Sequence, residues 1–255
     1  MTLKLPEAFL RLPIAHRALH DLRDGRPENS RAAIRAAIKA GYAIEIDVQL
    51  TSDDQAVVFH DDTLDRLTGL RGAVRAHSAA DLAGIALRGG DEAIPDLPEI
   101  LGLVAGQVPL VIEIKDQDGA MGPDIGPLEE AVADAVASYE GPLALMSFNP
   151  HSVARMARLA PDLPRGLVTG SYKADRWKLP AQVCNALREI PDFERCAACF
   201  ISHEHTDLAR ARVMQLKSAG ARVICWTIRS PEEEARARRV AENVTFENYS
   251  AAIPA

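Results

Sequence analysis

The chain has 255 residues, of which 47% are hydrophobic and 25% charged, enough to bury a large core without disulfide or metal staples. A formal net charge of −7 leaves no basic surplus for neutralising phosphates, which excludes nucleic acid as the partner. Residues 1–13 lack a signal-peptide pattern and no stretch approaches the roughly 20 apolar residues of a membrane span, so a cytoplasmic protein without membrane insertion is expected.

Short apolar runs alternate with amphipathic ones almost from end to end. They predict strands at residues 12–16, 43–49, 55–60, 109–115, 142–148, 165–169, 197–203 and 222–228. A helix following Asn29 and Ser30 carries Ile34 and Ile38 four apart and ends at Gly41. Asp96, with Glu99 three residues on, reads as a capping box. Leu128, Val132 and Val136 make one helical face; Val153, Met156 and Ala157 make another, which must stop before Pro161. Ser230-Pro231 with Glu232, Glu233 and Glu234 supplies a cap, a proline at the first helical position and acids against the positive helix end.

Strands alternating with helices favour a closed parallel (β/α)8 barrel over a doubly wound sheet, because no G-x-G-x-x-G or P-loop follows any strand. One domain is expected over residues 1–255, with 61–95, rich in Gly, Asp and Arg, as a long excursion at the barrel mouth. Cys196 and Cys199 form a lone C-x-x-C without a second pair or a histidine pattern beside it. With Cys184 and Cys225 they are expected to be reduced structural thiols.

In a strand, successive side chains point to opposite faces, so Glu45 and Asp47 share one face while Ile44, Ile46 and Val48 share the other. The apolar set would pack on helices and the acids would point into the barrel. Glu113 and Lys115 repeat that grammar against Ile112 and Ile114. Carboxylates crowded in a barrel interior repel one another and lose hydration unless a cation lies between them. Glu45, Asp47 and Glu113 therefore form an oxygen-donor set suited to one divalent cation, Mg²⁺ or Ca²⁺. A salt-bridge cluster of Glu113 with Lys115 or Arg17 is the alternative. His16 and His60 end strands on the rim where barrel enzymes place catalytic groups, and two such histidines can act as base and acid in one displacement.

His16-Arg17, Pro27-Glu28-Asn29-Ser30, Glu45-x-Asp47, Thr51-x-Asp53, His60-Asp61, Glu113-x-Lys115 and Trp226-Thr227 stand in an order that resembles the glycerophosphodiester phosphodiesterases of bacterial type. The likeness spans residues 16–249. It implies a (β/α)8 TIM barrel of the phospholipase C-like phosphodiesterase type. The implied reaction is metal-dependent hydrolysis of a small-molecule glycerophosphodiester to sn-glycerol 3-phosphate and an alcohol. Carried over by position, it implies metal ligation by Glu45, Asp47 and Glu113, and acid–base work by His16 and His60. Substrate binding would fall to Arg17 and Lys115 at the phosphate and to Phe148 and Trp226 at the pocket wall, with Glu28 and Asn29 supporting the metal rim or the substrate's hydroxyls. Glu28 and Asn29 read equally as a loop leading into the Ser30-capped helix, and the two aromatic residues equally as core.

Three positions depart from the family. Ala18 stands where glycine is usual, which costs on the order of 1 kcal/mol if the turn needs φ > 0. Arg229 replaces a frequent asparagine, and Ser250 follows Asn248-Tyr249 in place of proline. A phosphodiester lyase releasing a cyclic phosphate and a degenerate metal-binding barrel without turnover remain as alternatives, and a homo-oligomer is left open. His203 and His205, and a patch of Tyr172, Lys173 and Arg176, are secondary candidates at the mouth.

Overall fold

The computed structural model describes residues 3–173 and 177–254. Its strands are β1 (Ile14–Ala15), β2 (Ala43–Leu50), β3 (Ala56–Val58), β4 (Leu110–Ile114), β5 (Leu143–Ser147), β6 (Arg165–Thr169), β7 (Phe200–Glu204), β8 (Arg222–Ile228) and β9 (Asn243–Phe246). The helices are α1 (Ala8–Arg11), α2 (Arg31–Ala40), α3 (Ala79–Leu82), α4 (Leu97–Val104), α5 (Pro127–Val136), α6 (Pro150–Leu159), α7 (Ala181–Arg188), α8 (Ala211–Ser218) and α9 (Pro231–Ala237). Eight strands run parallel in the order β1-β9-β8-β7-β6-β5-β4-β2, and a β1–β2 pairing closes the ring into the expected (β/α)8 barrel.

Membership of that ring differs from the expectation at two places. The segment at 55–60 is not a barrel strand: β3 folds back antiparallel on β2, with Val48 opposite Val58, and stays outside the ring. Only residues 51–55 join β2 to β3, and a parallel crossover needs a dozen or more. The vacant place in the ring belongs to β9, whose Asn243 and Thr245 interrupt the apolar run that marks the other strands.

Helix ends follow their sequence signals. Ser30 accepts from the Ala33 N–H, and Gly41 ends α2 in the left-handed region at φ 77°. Ser230 accepts from Glu233 N–H at the start of α9. At α4 the capping box is half formed. Asp96 accepts from the Glu99 N–H at 2.8 Å, but the Glu99 carboxylate turns to the Arg31 guanidinium instead of the cap.

The core lies in two shells. Ile44, Ile46 and Val48 of β2 face outward onto Ala33, Ile34 and Ala37 of α2 and Leu97, Ile100 and Val104 of α4. Inside the ring, Ile14, Val111, Ala144, Met146, Val168, Phe200 and Ile224 fill the space, with Phe9 of α1 packed among them. Gly166 makes room for this filling, because a Cβ there would stand 2.5 Å from the Phe200 ring. Between β3 and α4 the chain wraps a separate apolar cluster of Phe59, Leu64, Val74, Leu82, Leu87 and Ile94. All four cysteines are free and buried, and burial pushes the Cys196 and Cys225 thiols up to about 12. Among the described residues no helix is long and apolar enough to cross a membrane.

Candidate active site

Parallel pairing puts Asp47 of β2 level with Glu113 of β4, and Glu45 lies one inward position below Asp47. All three side chains are buried, and each offers an oxygen within 4.8 Å of the others. The alternation expected from sequence therefore brings the three acids to one point.

The chain reaches that point twice more. After β1, His16 and Arg17 turn back over the rim, with Arg17 at φ 51° and Ala18 at φ 64°. This left-handed pair, the turn that glycine would favour, aims two N–H groups at β2. Arg17 N donates to Glu45 Oε2 and Ala18 N to the Glu45 carbonyl, each at 2.9 Å. The β2–β3 hairpin brings the second approach. Past the turn, Phe59 N donates to the Asp47 carbonyl at 3.0 Å and Gln49 Nε2 to the His60 carbonyl at 3.0 Å. His60 thus reaches the rim on a returning hairpin arm, not at the end of a barrel strand.

His16, Arg17, Glu45, Asp47, His60, Glu113, Lys115, Phe148 and Trp226 line one cavity of about 290 Å³. Glu28 and Asn29 stand behind its wall. Asn29 Nδ2 donates to Asp47 Oδ2 at 2.9 Å, and its own Oδ1 accepts from Asp47 N at 3.2 Å. Glu28 is clasped by Arg17 at 2.7 Å and by two Arg66 nitrogens at 2.8 Å. Asn29 thus holds Asp47 from behind and Glu28 holds Arg17, the arrangement of residues that support the acid cluster and its rim.

The electrostatics divide the acids. Lys115 Nζ lies 2.7 Å from Glu113 Oε1 and 3.3 Å from Asp47 Oδ1, and Arg17 Nε lies 3.6 Å from Asp47 Oδ2. Burial pushes Asp47 up, yet Lys115, His60, Arg17 and the Asn29 amide outweigh it and hold the carboxyl well below its usual range. Glu45 goes the other way: burial and the neighbouring Asp47 and Glu113 push it well above the carboxylate range. Among the described residues its buried Oε1 has no hydrogen-bond partner. A buried oxygen left unpaired beside two further carboxylates is one that a cation would satisfy, and an all-oxygen donor set fits a hard divalent ion. The donors fit.

Each histidine has an acid at its back. Nδ1 of His60 lies 2.6 Å from Asp61 Oδ1, and Asp61 is held by Arg66 at 2.7 and 2.8 Å. Nδ1 of His16 lies 2.6 Å from Glu247 Oε2. Glu247 follows β9 and was not anticipated. The signal was an acid closing an alternating segment, as in β2 and β4, hidden because β9 itself went unread. Trp177 was missed as well: it lines the cavity with its ring centroid 5.3 Å from Phe148 and 4.5 Å from Tyr172. No periodicity marks that segment.

The secondary candidates lie elsewhere. His203 is fully buried, with Nδ1 2.7 Å from Thr169 Oγ1 and Nε2 3.2 Å from Asp207, so it ties β6 to the turn after β7. Tyr172 is buried and backs Trp177, and Arg176 lies outside the described residues.

Histidines, carboxylates and cationic side chains gathered in one cavity at the carboxyl end of a closed parallel barrel define a barrel enzyme built for an anionic substrate. The chain belongs to the Glycerophosphoryl diester phosphodiesterase family, which it matches over residues 16–244. It is 33% identical over 180 residues to the glycerophosphodiester phosphodiesterase of Caldanaerobacter subterraneus, covering 66% of this chain and 70% of that one. It is 29% identical over 234 residues to YhdW of Bacillus subtilis, covering 88% of each. Among solved structures it resembles an Oleispira antarctica phosphodiesterase in complex with the product sn-glycerol-3-phosphate, with a TM-score of 0.76, 25% identity and 95% of each chain covered. The protein is accordingly a phosphoric diester hydrolase of the glycerophosphodiester phosphodiesterase type.

Proposed function

We propose that the chain hydrolyses glycerophosphodiesters to sn-glycerol 3-phosphate and an alcohol, using one divalent cation, Mg²⁺ or Ca²⁺, with His16 and His60 as the proton-transfer groups. The observation that carries this reading is the single cavity shared by both histidines, the three acids, Arg17 and Lys115. Crowding of the acids supports a cation there, because burial and the neighbouring Asp47 and Glu113 hold Glu45 above the carboxylate range. A divalent ion held by Glu45, Asp47 and Glu113 would let Glu45 ionise and would supply Lewis-acid polarisation of the phosphoryl oxygens.

The remaining steps fall to side chains. Arg17 and Lys115 would offset charge growing on the phosphoryl oxygens. One imidazole would take the proton of the attacking hydroxyl as the new P–O bond forms. The other, entering as imidazolium, would give its proton to the alcohol oxygen as the old P–O bond breaks. In both rings Nδ1 is engaged by a carboxylate, which would leave Nε2 as the nitrogen available to a substrate in the cavity. The same two transfers serve direct attack by water and attack by the substrate's own glycerol hydroxyl through a cyclic phosphate. Phosphorus NMR of the reaction distinguishes them, since a lyase would accumulate the cyclic product.

The test is release of sn-glycerol 3-phosphate from glycerophosphocholine by protein stripped with EDTA and then resupplied with Mg²⁺ or Ca²⁺. Turnover is expected only with the cation, and His16→Ala and His60→Ala should each lower kcat on the order of 10³-fold. Full turnover in EDTA would remove the cation from the reaction, and wild-type rates in both variants would remove the histidines.

A further inference from the structure

Glu247 has no part in the acid cluster, yet its position is tightly determined. Where the barrel closes, His16 N donates to the Phe246 carbonyl at 2.9 Å and Glu247 N to the Ile228 carbonyl at 3.0 Å. These ladder bonds set His16, Glu247 and Arg229 side by side on the ends of β1, β9 and β8. The side chains continue the row. Glu247 Oε2 lies 2.6 Å from His16 Nδ1, and Glu247 Oε1 accepts from Arg229 Nε at 2.8 Å, with Nη2 also 2.8 Å away. His20 Nε2 stands 3.6 Å from Oε2.

We propose that Glu247 is a positioning residue for His16, fixing the ring in the Nδ1–H tautomer so that the Nε2 lone pair faces the cavity. A carboxylate can only accept, so the proton on Nδ1 belongs to the imidazole, and the other ring nitrogen of the neutral form is left basic. Glu247 is an ionised carboxylate. Burial pushes it up, but its contacts with His16 and His20 and the charge of Arg229 hold it well below the usual range. Arg229, the residue that departs from the family's asparagine, clasps the free oxygen and fixes the carboxylate's direction. The second histidine is held by the same logic from a different part of the chain, through Asp61 and Arg66. At metal centres, removing the outer carboxylate that orients a ligating histidine costs about 10- to 100-fold in affinity or activity, and an effect of at least that order is expected for a histidine that moves protons.

The inference rests on His16 being a proton-transfer group, and the experiment separates the two. His16→Ala and Glu247→Gln are assayed together on glycerophosphocholine with Mg²⁺, and the His16 imidazole is observed by ¹⁵N NMR at a pH where it is neutral. In the wild-type chain the ring should show a protonated Nδ1 and an unprotonated Nε2, a measurement that needs no variant to fold. Glu247→Gln should lower kcat about 10- to 100-fold with KM held within about threefold, and should bring the Nε2–H tautomer into view. A wild-type ring already protonated on Nε2, or a Glu247→Gln enzyme with unchanged kcat beside an inactive His16→Ala, overturns the positioning role alone. An active His16→Ala enzyme overturns the proton-transfer reading and this inference with it.

Discussion

The two sides of the cavity are held by opposite means. On the side built by β1, β2, β4 and the segment after β3, nearly every group is fixed by charge. His60 leans on Asp61, Asp61 on Arg66, Arg66 on Glu28, Glu28 on Arg17, and Arg17 approaches Asp47. On the side built by β5, β6 and β8, the wall is rings and aliphatic groups: Met146, Phe148, Val168, Trp177 and Trp226. Phe148 meets Trp226 edge-on at 5.5 Å, and one directional bond, from Trp226 Nε1 to the Ser202 carbonyl at 3.0 Å, fixes the indole. Ion pairs and hydrogen bonds are directional and fix single atoms. Ring contacts fix a shape and tolerate small displacements. On the proposed reading the charged side handles the phosphoryl group and the aromatic side the carbon skeleton of the substrate.

That division predicts two different kinetic signatures. The largest effect belongs to the charged side. Glu45→Gln should lower kcat/KM on the order of 10³-fold, because it removes a donor from the proposed cation site. The same change should raise thermal stability in EDTA, on the order of 1 kcal/mol, because it takes one carboxyl out of a buried cluster of three. Activity falling while melting temperature rises is the pattern of a site whose strain serves function. Activity falling with stability would mean that Glu45 is only structural. A smaller effect of another kind belongs to the aromatic side. Trp226→Ala should raise KM about tenfold with kcat changed less, as expected for losing apolar contact area that acts on substrate and transition state alike. If Trp226→Ala instead cut kcat at constant KM, the division between the two sides would fail.

The same contrast governs what the sequence disclosed. The acids of β2 and β4 were legible because alternation sets them opposite the apolar residues within each strand, and the apolar faces turn outward to the helices in any closed barrel. The caps of α2 and α9 were legible because a cap acts over three residues. The placement of 55–60 was misread although its correction was available: a five-residue connection forces a hairpin, and that hairpin carries His60 back to the rim beside the acid cluster. Strand β9 escaped because four residues with two polar inward positions carry too little pattern to separate from a loop. Glu247 went unread with it, and the pair it makes with His16 bridges 231 positions. Arg229 was visible as an odd residue, yet its partner was not, since charge pairing over such distances is decided by the closed barrel. Local geometry was readable in sequence; the ion-pair chain was not.

The smallest effect tests the one departure whose backbone could be anticipated. Ala18 does sit at φ 64°, where an L side chain costs about 1–2 kcal/mol relative to glycine. Two terms act in the opposite direction. Ala18 is 2% exposed and packs in the outer core, so its methyl contributes roughly 0.8 kcal/mol of burial. Alanine also restricts the unfolded chain, which favours folding by about 0.4–1 kcal/mol. The three terms nearly cancel, which accounts for alanine in a turn that glycine would suit. Ala18→Gly should therefore change unfolding free energy by less than about 1 kcal/mol and leave kcat within about threefold. A loss of more than about 2 kcal/mol in a denaturant titration would show that the methyl, and not the turn, holds Arg17 over Glu45. The charged side of the cavity would then depend on packing as much as the aromatic side does.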